Sequence, residues 1–156
     1  CAVLAEYALS LLVCLMFTGC SNSETNSTSR GLTDFAHIEE EYLATIDSLN
    51  WPDGIALPDK LEDEDTGASF QVGYGETRAS YLWEYSWMKE WLDTYNTDPE
   101  RAEKALEELE KAFDMPYMGI DRCDDATRNY LRENIDKAKL GDPSGFTESI
   151  RANYAN

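Results

Sequence analysis

The chain has 156 residues, of which 42% are hydrophobic, which is enough for one globular domain with a buried core and too few for a second domain. Its 31 acidic and 13 basic residues give a net charge of −18. This excess of acid argues against nucleic-acid binding and against adsorption to anionic membranes, because both depend on clusters of Lys and Arg.

The N-terminal part of the chain has a different composition. Residues 7–17 form an uncharged, mostly apolar run, which has the length of the core of a secretory signal and is short for a membrane span. The run ends in Phe17-Thr18-Gly19-Cys20, and a polar segment rich in Ser, Thr and Asn follows. This pattern resembles the lipobox of bacterial lipoproteins, in which small residues precede a cysteine that carries lipid.

The resemblance implies that residues 1–19 are a signal peptide, and we expect the chain to begin inside it, since no basic n-region precedes the apolar run. It also implies that Cys20 is lipidated and that residues 20–32 form a flexible polar tether. A single helical domain over residues 33–156 would then be held by the lipid on Cys20 at the outer side of a bacterial membrane. An uncleaved anchor formed by residues 1–19 is the alternative, with the same extracytoplasmic location.

Apolar residues at helical spacing predict a first helix over residues 34–49, with Thr33 or Asp34 as its cap. Three consecutive acids, residues 39–41, are predicted to lie mainly on its outer face. A turn rich in Pro and Gly follows, and Trp51 is predicted to fill the adjoining end of the core. The sequence of residues 55–75 predicts an irregular loop with a short extended segment. Thr77 is predicted to cap the helix that follows.

The centre of the predicted fold is residues 78–95, which contain three Trp and three Tyr. Trp83, Trp87 and Trp91 recur at every fourth position, and an adjoining stripe contains Tyr81 and Tyr85. Together the two stripes span roughly half of the helix circumference. We therefore expect this aromatic helix to contact several other helices.

Three further helices are predicted. The sequence Thr97-Asp98-Pro99-Glu100 opens a third helix, antiparallel to the aromatic one, that ends at Met115-Pro116. A fourth helix is predicted over residues 121–140 and a short fifth helix after Pro143. The predicted fold is therefore all-α: a four- to five-helix bundle around the aromatic helix, with an irregular, partly extended segment at about residues 55–75.

Glu84 is the one charged residue inside the aromatic arc. A carboxylate buried there needs a partner or a raised pKa. The expected partners are a Tyr hydroxyl, a Trp N–H, Arg122, Arg128 or His37. A structural hydrogen bond in the core, or a helix face that is less buried than the aromatic arc suggests, is one interpretation. The other is an acidic group in an aromatic pocket, formed by Glu84, Tyr81, Trp87 and Trp91, that binds a cationic or sugar-like ligand.

Other candidate sites are weaker. His37 is the only histidine, and Cys123 lies among aspartates that oppose thiolate formation, so neither predicts a catalytic dyad. With Cys20 lipidated and the signal peptide removed, Cys123 would also have no partner for an internal disulfide. The acidic run at residues 62–65 lacks the spacing of a calcium loop, although calcium binding stays open. We predict no metal, no cofactor and no catalytic motif.

A second resemblance concerns the body of the chain. Gly73-Tyr74-Gly75, followed by Ala79, Tyr81, Trp83, Trp87, Glu90, Trp91 and Leu92, is similar to a segment of small secreted or lipid-anchored proteins of Gram-positive bacteria. It implies location and fold, and no activity. The leading hypothesis is a non-enzymatic, lipid-anchored module that interacts with a basic protein or envelope component. The alternatives are a small-ligand-binding lipoprotein and, more remotely, a hydrolase that uses Glu84 with a second carboxylate.

Overall fold

A computed structural model describes residues 31–62 and 64–154 of the chain. It confirms the predicted all-α fold, because five helices form the body and the two strands are only two residues long each. The predicted signal peptide, the lipidated Cys20 and most of the predicted tether lie outside the described residues. The helices are α1 (Phe35–Ser48), α2 (Tyr74–Thr94), α3 (Pro99–Glu110), α4 (Asp125–Lys139) and α5 (Ser144–Asn153).

The aromatic helix α2 is central, as predicted. It packs against α1, α3 and α5, and it also contacts the second of two 3₁₀ turns, Lys111–Asp114 and Pro116–Met118, which follow α3. The buried apolar residues form two clusters along it. The larger cluster contains the three tryptophans of α2 with side chains of α3, α4 and α5, and the smaller one joins α1 to the start of α2.

The start of α2 differs from the prediction, because the helix begins at Tyr74 and Thr77 is not its cap. The cap position is Gly73, whose φ of 88° favours glycine. The carboxylate of Glu41 on α1 accepts hydrogen bonds from the backbone N–H groups of Gly73, at 2.8 Å, and Gly75, at 3.2 Å. A carboxylate is favourable at this end of a helix because it complements the helix dipole. The prediction that Glu41 lies on the outer face of α1 is therefore wrong.

Helices α1 and α2 approach each other most closely at Gly75. A Cβ atom at this position would lie 1.8 Å from the carbonyl oxygen of Ile38, so only glycine fits without a shift of the backbone. This close contact fixes the first turns of α2 against α1. The position of Glu84 further along α2 follows from it.

The extended segment is shorter than predicted and has a partner. Strand β1 (Leu32–Thr33) pairs antiparallel with strand β2 (Phe70–Gln71), with Leu32 opposite Gln71. Tyr74, which the alternation of residues 70–74 placed in this segment, belongs to α2 instead. The folded body therefore includes residue 32, which the sequence assigns to the tether.

The connection from α1 to α2 is fixed at its first residues. The Nε1–H groups of Trp83 and Trp87 both donate to the carbonyl oxygen of Asn50, at 2.8 and 3.1 Å. Trp51 packs against both apolar clusters and donates to the carbonyl oxygen of Ile46 at 2.9 Å, which confirms its predicted place at the end of the core.

Helix α4 begins at Asp125, four residues later than predicted, with Asp124 as its cap. The residues before it form turns, and the Arg128 guanidinium donates to the carbonyl oxygens of Met118 and Cys123 there. Helix α3 begins at Pro99, within the segment 97–100 that is predicted to open it, and the side chain of its cap residue Asp98 accepts a hydrogen bond from the Arg101 N–H. Within residues 31–62 and 64–154, no helix is both long and apolar enough to cross a membrane.

Candidate functional site: the Glu84 cleft

A cleft of about 730 Å³ lies between α2, α4, α5 and the loop of residues 58–62, and we refer to it as the Glu84 cleft. This volume is within the range of small-molecule sites. Apolar contacts come from Leu61, Leu82, Met118 and Leu131. The polar part of the lining includes Tyr81, Glu84, Thr127, Tyr130, Ser149 and Asn153.

Glu84 lies at the buried end of this cleft, with 7% of its surface exposed. Its Oε2 accepts a hydrogen bond of 2.7 Å from the hydroxyl of Tyr117, which is itself buried. Tyr117 reaches Glu84 because the 3₁₀ turn Pro116–Met118 packs against α2. Glu84 is therefore buried, a point that the sequence leaves open, and its donor is a Tyr hydroxyl, one of the several partners expected for it.

The charge of Glu84 is only partly compensated. Its second oxygen, Oε1, accepts no hydrogen bond from residues 31–62 or 64–154, and no Lys, Arg or His of that part of the chain bonds to either oxygen. Burial raises the pKa of Glu84 from 4.5 to about 7, against a smaller opposing effect of the Tyr117 hydrogen bond. Glu84 therefore titrates closer to neutral pH than an exposed carboxyl group does.

The other partners expected for Glu84 are used elsewhere. Arg122 Nη1 donates to Glu76 Oε2 at 2.9 Å and to the carbonyl of Gly73, while Arg128 bonds to the turn before α4. His37 Nε2 lies 3.2 Å from Glu41 Oε1 on α1. The indole N–H groups of Trp83 and Trp87 bond to Asn50, as described above.

Tyrosine rings surround the buried carboxyl group. Tyr81, 39% exposed, lies edge-to-face against Tyr117 with ring centroids 5.5 Å apart. Tyr154 packs on Tyr85 at 5.0 Å, and Tyr130 projects from α4 into the cleft. Burial, with the nearby charge of Glu84, raises the pKa of both Tyr81 and Tyr154, so these hydroxyls stay protonated and able to donate hydrogen bonds.

Of the four residues predicted to bind a ligand, the structure brings Glu84 and Tyr81 to the cleft. Trp87 and Trp91 lie in the larger apolar cluster instead, with 1% and 2% of their surfaces exposed. Trp91 stacks on Tyr95 at 4.6 Å and packs edge-to-face against Phe146 at 5.3 Å. The spacing along α2 predicted that Trp87 and Trp91 line a pocket with Glu84. Their rings pack in the core instead and do not line the cleft.

Several residues of the site were not predicted from the sequence. Tyr130 and Tyr154, which line the cleft, and Tyr117, which bonds to Glu84, were not among the predicted ligand-binding residues. Ser149 and Asn153 share one face of α5, four residues apart, which is the only sequence signal for them. None of these positions is linked to Glu84 by spacing, because they lie on segments other than α2: the 3₁₀ turn Pro116–Met118, α4, and α5 with the residue after it.

The basic residues of the cleft are already paired. Arg78 bonds to Glu64, whose Oε1 also accepts a hydrogen bond of 2.7 Å from the hydroxyl of Tyr74. Lys60 Nζ lies 2.8 Å from Glu62 Oε1. Glu84 is therefore the charged side chain of the cleft that has no ionic partner among the described residues.

The weaker candidates, His37 and Cys123, do not line this cleft, and within the described residues they are not bonded to each other. Cys123 Sγ contacts Met118 Sδ at 3.5 Å, and burial raises the pKa of its thiol, whereas His37 pairs with Glu41. No group of three or more His, Cys, Asp or Glu suited to hold a metal ion occurs in residues 31–62 and 64–154. Asp63 of the acidic run, on which the calcium alternative depends in part, lies outside the described residues.

Comparison with protein-family models, with curated protein sequences and with solved structures finds no match to this chain.

Proposed function

We propose that this protein binds a small ligand in the Glu84 cleft and that it does so as a lipid-anchored protein on the outer side of a bacterial membrane. The observation that supports ligand binding is a largely buried carboxyl group in the lining of an open cleft, whose Oε1 accepts no hydrogen bond from residues 31–62 and 64–154. Burying a carboxyl group without full compensation destabilises a fold. Such groups concentrate at functional sites.

The lining is suited to binding more than to catalysis. Hydroxyl and amide groups of Thr127, Ser149 and Asn153 offer hydrogen bonds to a ligand, and the apolar residues offer contact area. Glu62 is the other carboxylate in the cleft, but its side chain is 61% exposed and pairs with Lys60. Glycoside hydrolysis requires a pair of carboxylates in defined roles. We therefore favour ligand binding over a hydrolase that uses Glu84 with a second carboxylate.

A pair of substitutions on α4 tests ligand binding. Thr127 is exposed at the mouth of the cleft and lines it, so Thr127→Trp should fill the cleft while leaving the core unchanged. Ala126 is equally exposed and does not line the cleft, so Ala126→Trp is the matched control. Ligand-observed NMR with a fragment set of amines, polyols and carboxylates should find binders that Thr127→Trp loses and Ala126→Trp keeps. The proposal fails if no fragment binds, or if both variants bind the same fragments equally.

The lipid anchor is a separate part of the proposal and has its own test. It rests on the Phe17-Thr18-Gly19-Cys20 sequence and the apolar run before it. Bacteria that express the full chain and grow on labelled fatty acid should incorporate label into the protein, and Cys20→Ala should abolish it. Label retained in Cys20→Ala would exclude lipidation at this residue.

We also propose that the protein interacts with a basic protein or envelope component. The net charge of −18 supports it, because an acidic surface accelerates association with basic surfaces and does so less at high salt. This interaction would use the outside of the bundle and is compatible with a ligand in the cleft.

A further inference from the structure

We propose that the ligand of the Glu84 cleft is an organic ammonium ion, whose cationic group pairs with Glu84 Oε1 among the rings of Tyr81, Tyr130 and Tyr154. This inference rests on the proposed function and assigns the chemical class of its ligand. The pairing would place an opposite charge beside Oε1, which accepts no hydrogen bond from the described residues.

The distribution of charge in the cleft favours a cation. In the part of the chain that the structure describes, the two basic side chains of the lining, Arg78 and Lys60, are each bonded to a carboxylate, while Glu84 is bonded only to the neutral Tyr117 hydroxyl. An anionic ligand would meet an uncompensated carboxylate at the buried end. A neutral polyol would leave that carboxylate without an opposite charge, so it would gain less from the site than a cation does.

The aromatic lining favours an ammonium group over a metal ion. Tyrosine rings attract cations through the negative charge on their faces, and this attraction increases when the cation leaves water. Ammonium groups have apolar substituents, which would contact Leu131 and Met118. A metal ion would need several oxygen or nitrogen ligands, and Glu84 belongs to no group of three or more such residues within residues 31–62 and 64–154.

Binding should release a proton from Glu84 below pH 7. Burial raises the pKa of this carboxyl group to about 7, and a bound cation would lower it again, so the proton leaves to the solvent as the ion pair forms. The groups that face Glu84 are Tyr81 from α2, Tyr117 from the 3₁₀ turn, Tyr154 after α5 and, more distantly, Cys123 before α4. All of them have raised pKa values, so Glu84 is the group among them that titrates near neutrality.

Two cations, each with a neutral counterpart, test the inference by calorimetry. Choline is compared with 3,3-dimethylbutan-1-ol, in which carbon replaces the nitrogen, and butylammonium is compared with butan-1-ol. At pH 8 at least one cation should bind, and its counterpart should bind at least about tenfold more weakly. The affinity for the cation should be about tenfold lower at pH 6 than at pH 8, because ionisation of Glu84, with its pKa of about 7, is required.

Two variants show whether Glu84 is responsible. Glu84→Gln should lose at least about tenfold in cation affinity and should lose the dependence on pH. Glu108 is the matched control, since it is also 7% exposed but lies on α3, outside the cleft, and pairs with Lys111. Glu108→Gln should keep both properties, and circular dichroism of both variants checks that they are folded.

The outcomes separate this inference from the proposed function. If the neutral counterparts bind as well as the cations and Glu84→Gln changes nothing, the ammonium proposal is wrong while the cleft remains a ligand site. If neither cation binds, while neutral or anionic fragments bind and are lost in Thr127→Trp, the ammonium proposal is again wrong and the cleft remains a ligand site. If no compound binds in either experiment, both proposals are overturned.

Discussion

Helix α2 has two aromatic faces, and their surroundings differ. On one face Trp83 and Trp87 are 1% exposed, because α3 and the residues around Asn50 close over them. On the other face Tyr81 is 39% exposed and Glu84 adjoins a cleft, because α4, α5 and the loop of residues 58–62 leave a space there. The same kind of residue on one helix thus builds a packed core on one side and a candidate ligand site on the other.

The largest expected effect comes from the packed face. Trp83→Ala should lower the free energy of unfolding by about 3–5 kcal/mol, because it leaves a cavity in the larger cluster and removes one donor to the Asn50 carbonyl. Urea denaturation followed by circular dichroism measures this loss.

Tyr81→Ala is the control on the opposite face. The Tyr81 ring is partly solvated already and its removal opens the cleft further, so the loss should be about 1 kcal/mol. Equal losses for the two substitutions would contradict the distinction between a packed face and a cleft face.

Titration of Glu84 should make the free energy of unfolding depend on pH. In the folded protein the pKa of Glu84 is about 7, above its usual value of 4.5, so between these pH values the unfolded chain binds fewer protons than the folded one. The stability contributed by protonated Glu84 is therefore complete below pH 4.5 and is lost as the pH rises to 7. Since one pKa unit corresponds to about 1.4 kcal/mol, Glu84→Gln should be more stable than the parent by up to about 3 kcal/mol at pH 8 and equal to it at pH 4.

Glu108→Gln provides the comparison for this measurement. Its carboxylate is as buried as that of Glu84 but has an ionic partner in Lys111 at 2.6 Å. Removing that charge should destabilise the protein slightly at pH 8, by less than about 1 kcal/mol, because the lysine is half exposed. If Glu84→Gln is also destabilising at pH 8, the carboxyl group is better compensated than its contacts indicate.

Helical periodicity accounts for the part of the fold that the sequence predicted. The apolar spacing along α1, α3 and α5 identified each helix, because each covers the core with one face. Glu41 shows the limit of the same reasoning: its helical angle suggested solvent, but the N-terminus of α2 packs beside it and supplies hydrogen-bond donors. That contact joins residues 32 positions apart, and periodicity within one helix carries no information about it.

The sequence identified one residue of the candidate site but not the cleft around it. A charge inside an apolar arc identified Glu84, since burial of a carboxyl group has a free-energy cost wherever it occurs. The cleft itself depends on how α4 and α5 pack against α2, and on a loop that the sequence leaves irregular. Tyr117 illustrates this, because its place beside Glu84 is set by two 3₁₀ turns that have no periodic signal.

A conservative substitution at Tyr117 tests that last contact. Tyr117→Phe removes the hydroxyl that donates to Glu84 Oε2 and leaves the ring in the core. Because this hydrogen bond lowers the pKa of Glu84 relative to burial alone, its loss should raise that pKa above 7. NMR titration of the Glu84 carboxyl carbon measures the shift.

The effect of Tyr117→Phe on stability should also depend on pH. The loss should be about 1 kcal/mol at pH 5, where Glu84 is protonated, and about 2 kcal/mol at pH 8, since a hydrogen bond to an ionised group is stronger than one to a neutral group. In the Glu84→Gln background the same substitution should cost about 1 kcal/mol at both pH values, because no charge remains to be stabilised. A loss that stays at about 1 kcal/mol at both pH values in the parent as well would mean that Glu84 stays neutral in the folded protein up to pH 8. The cleft would then present a hydrogen-bond donor instead of a negative charge, and the ammonium proposal would lose its basis.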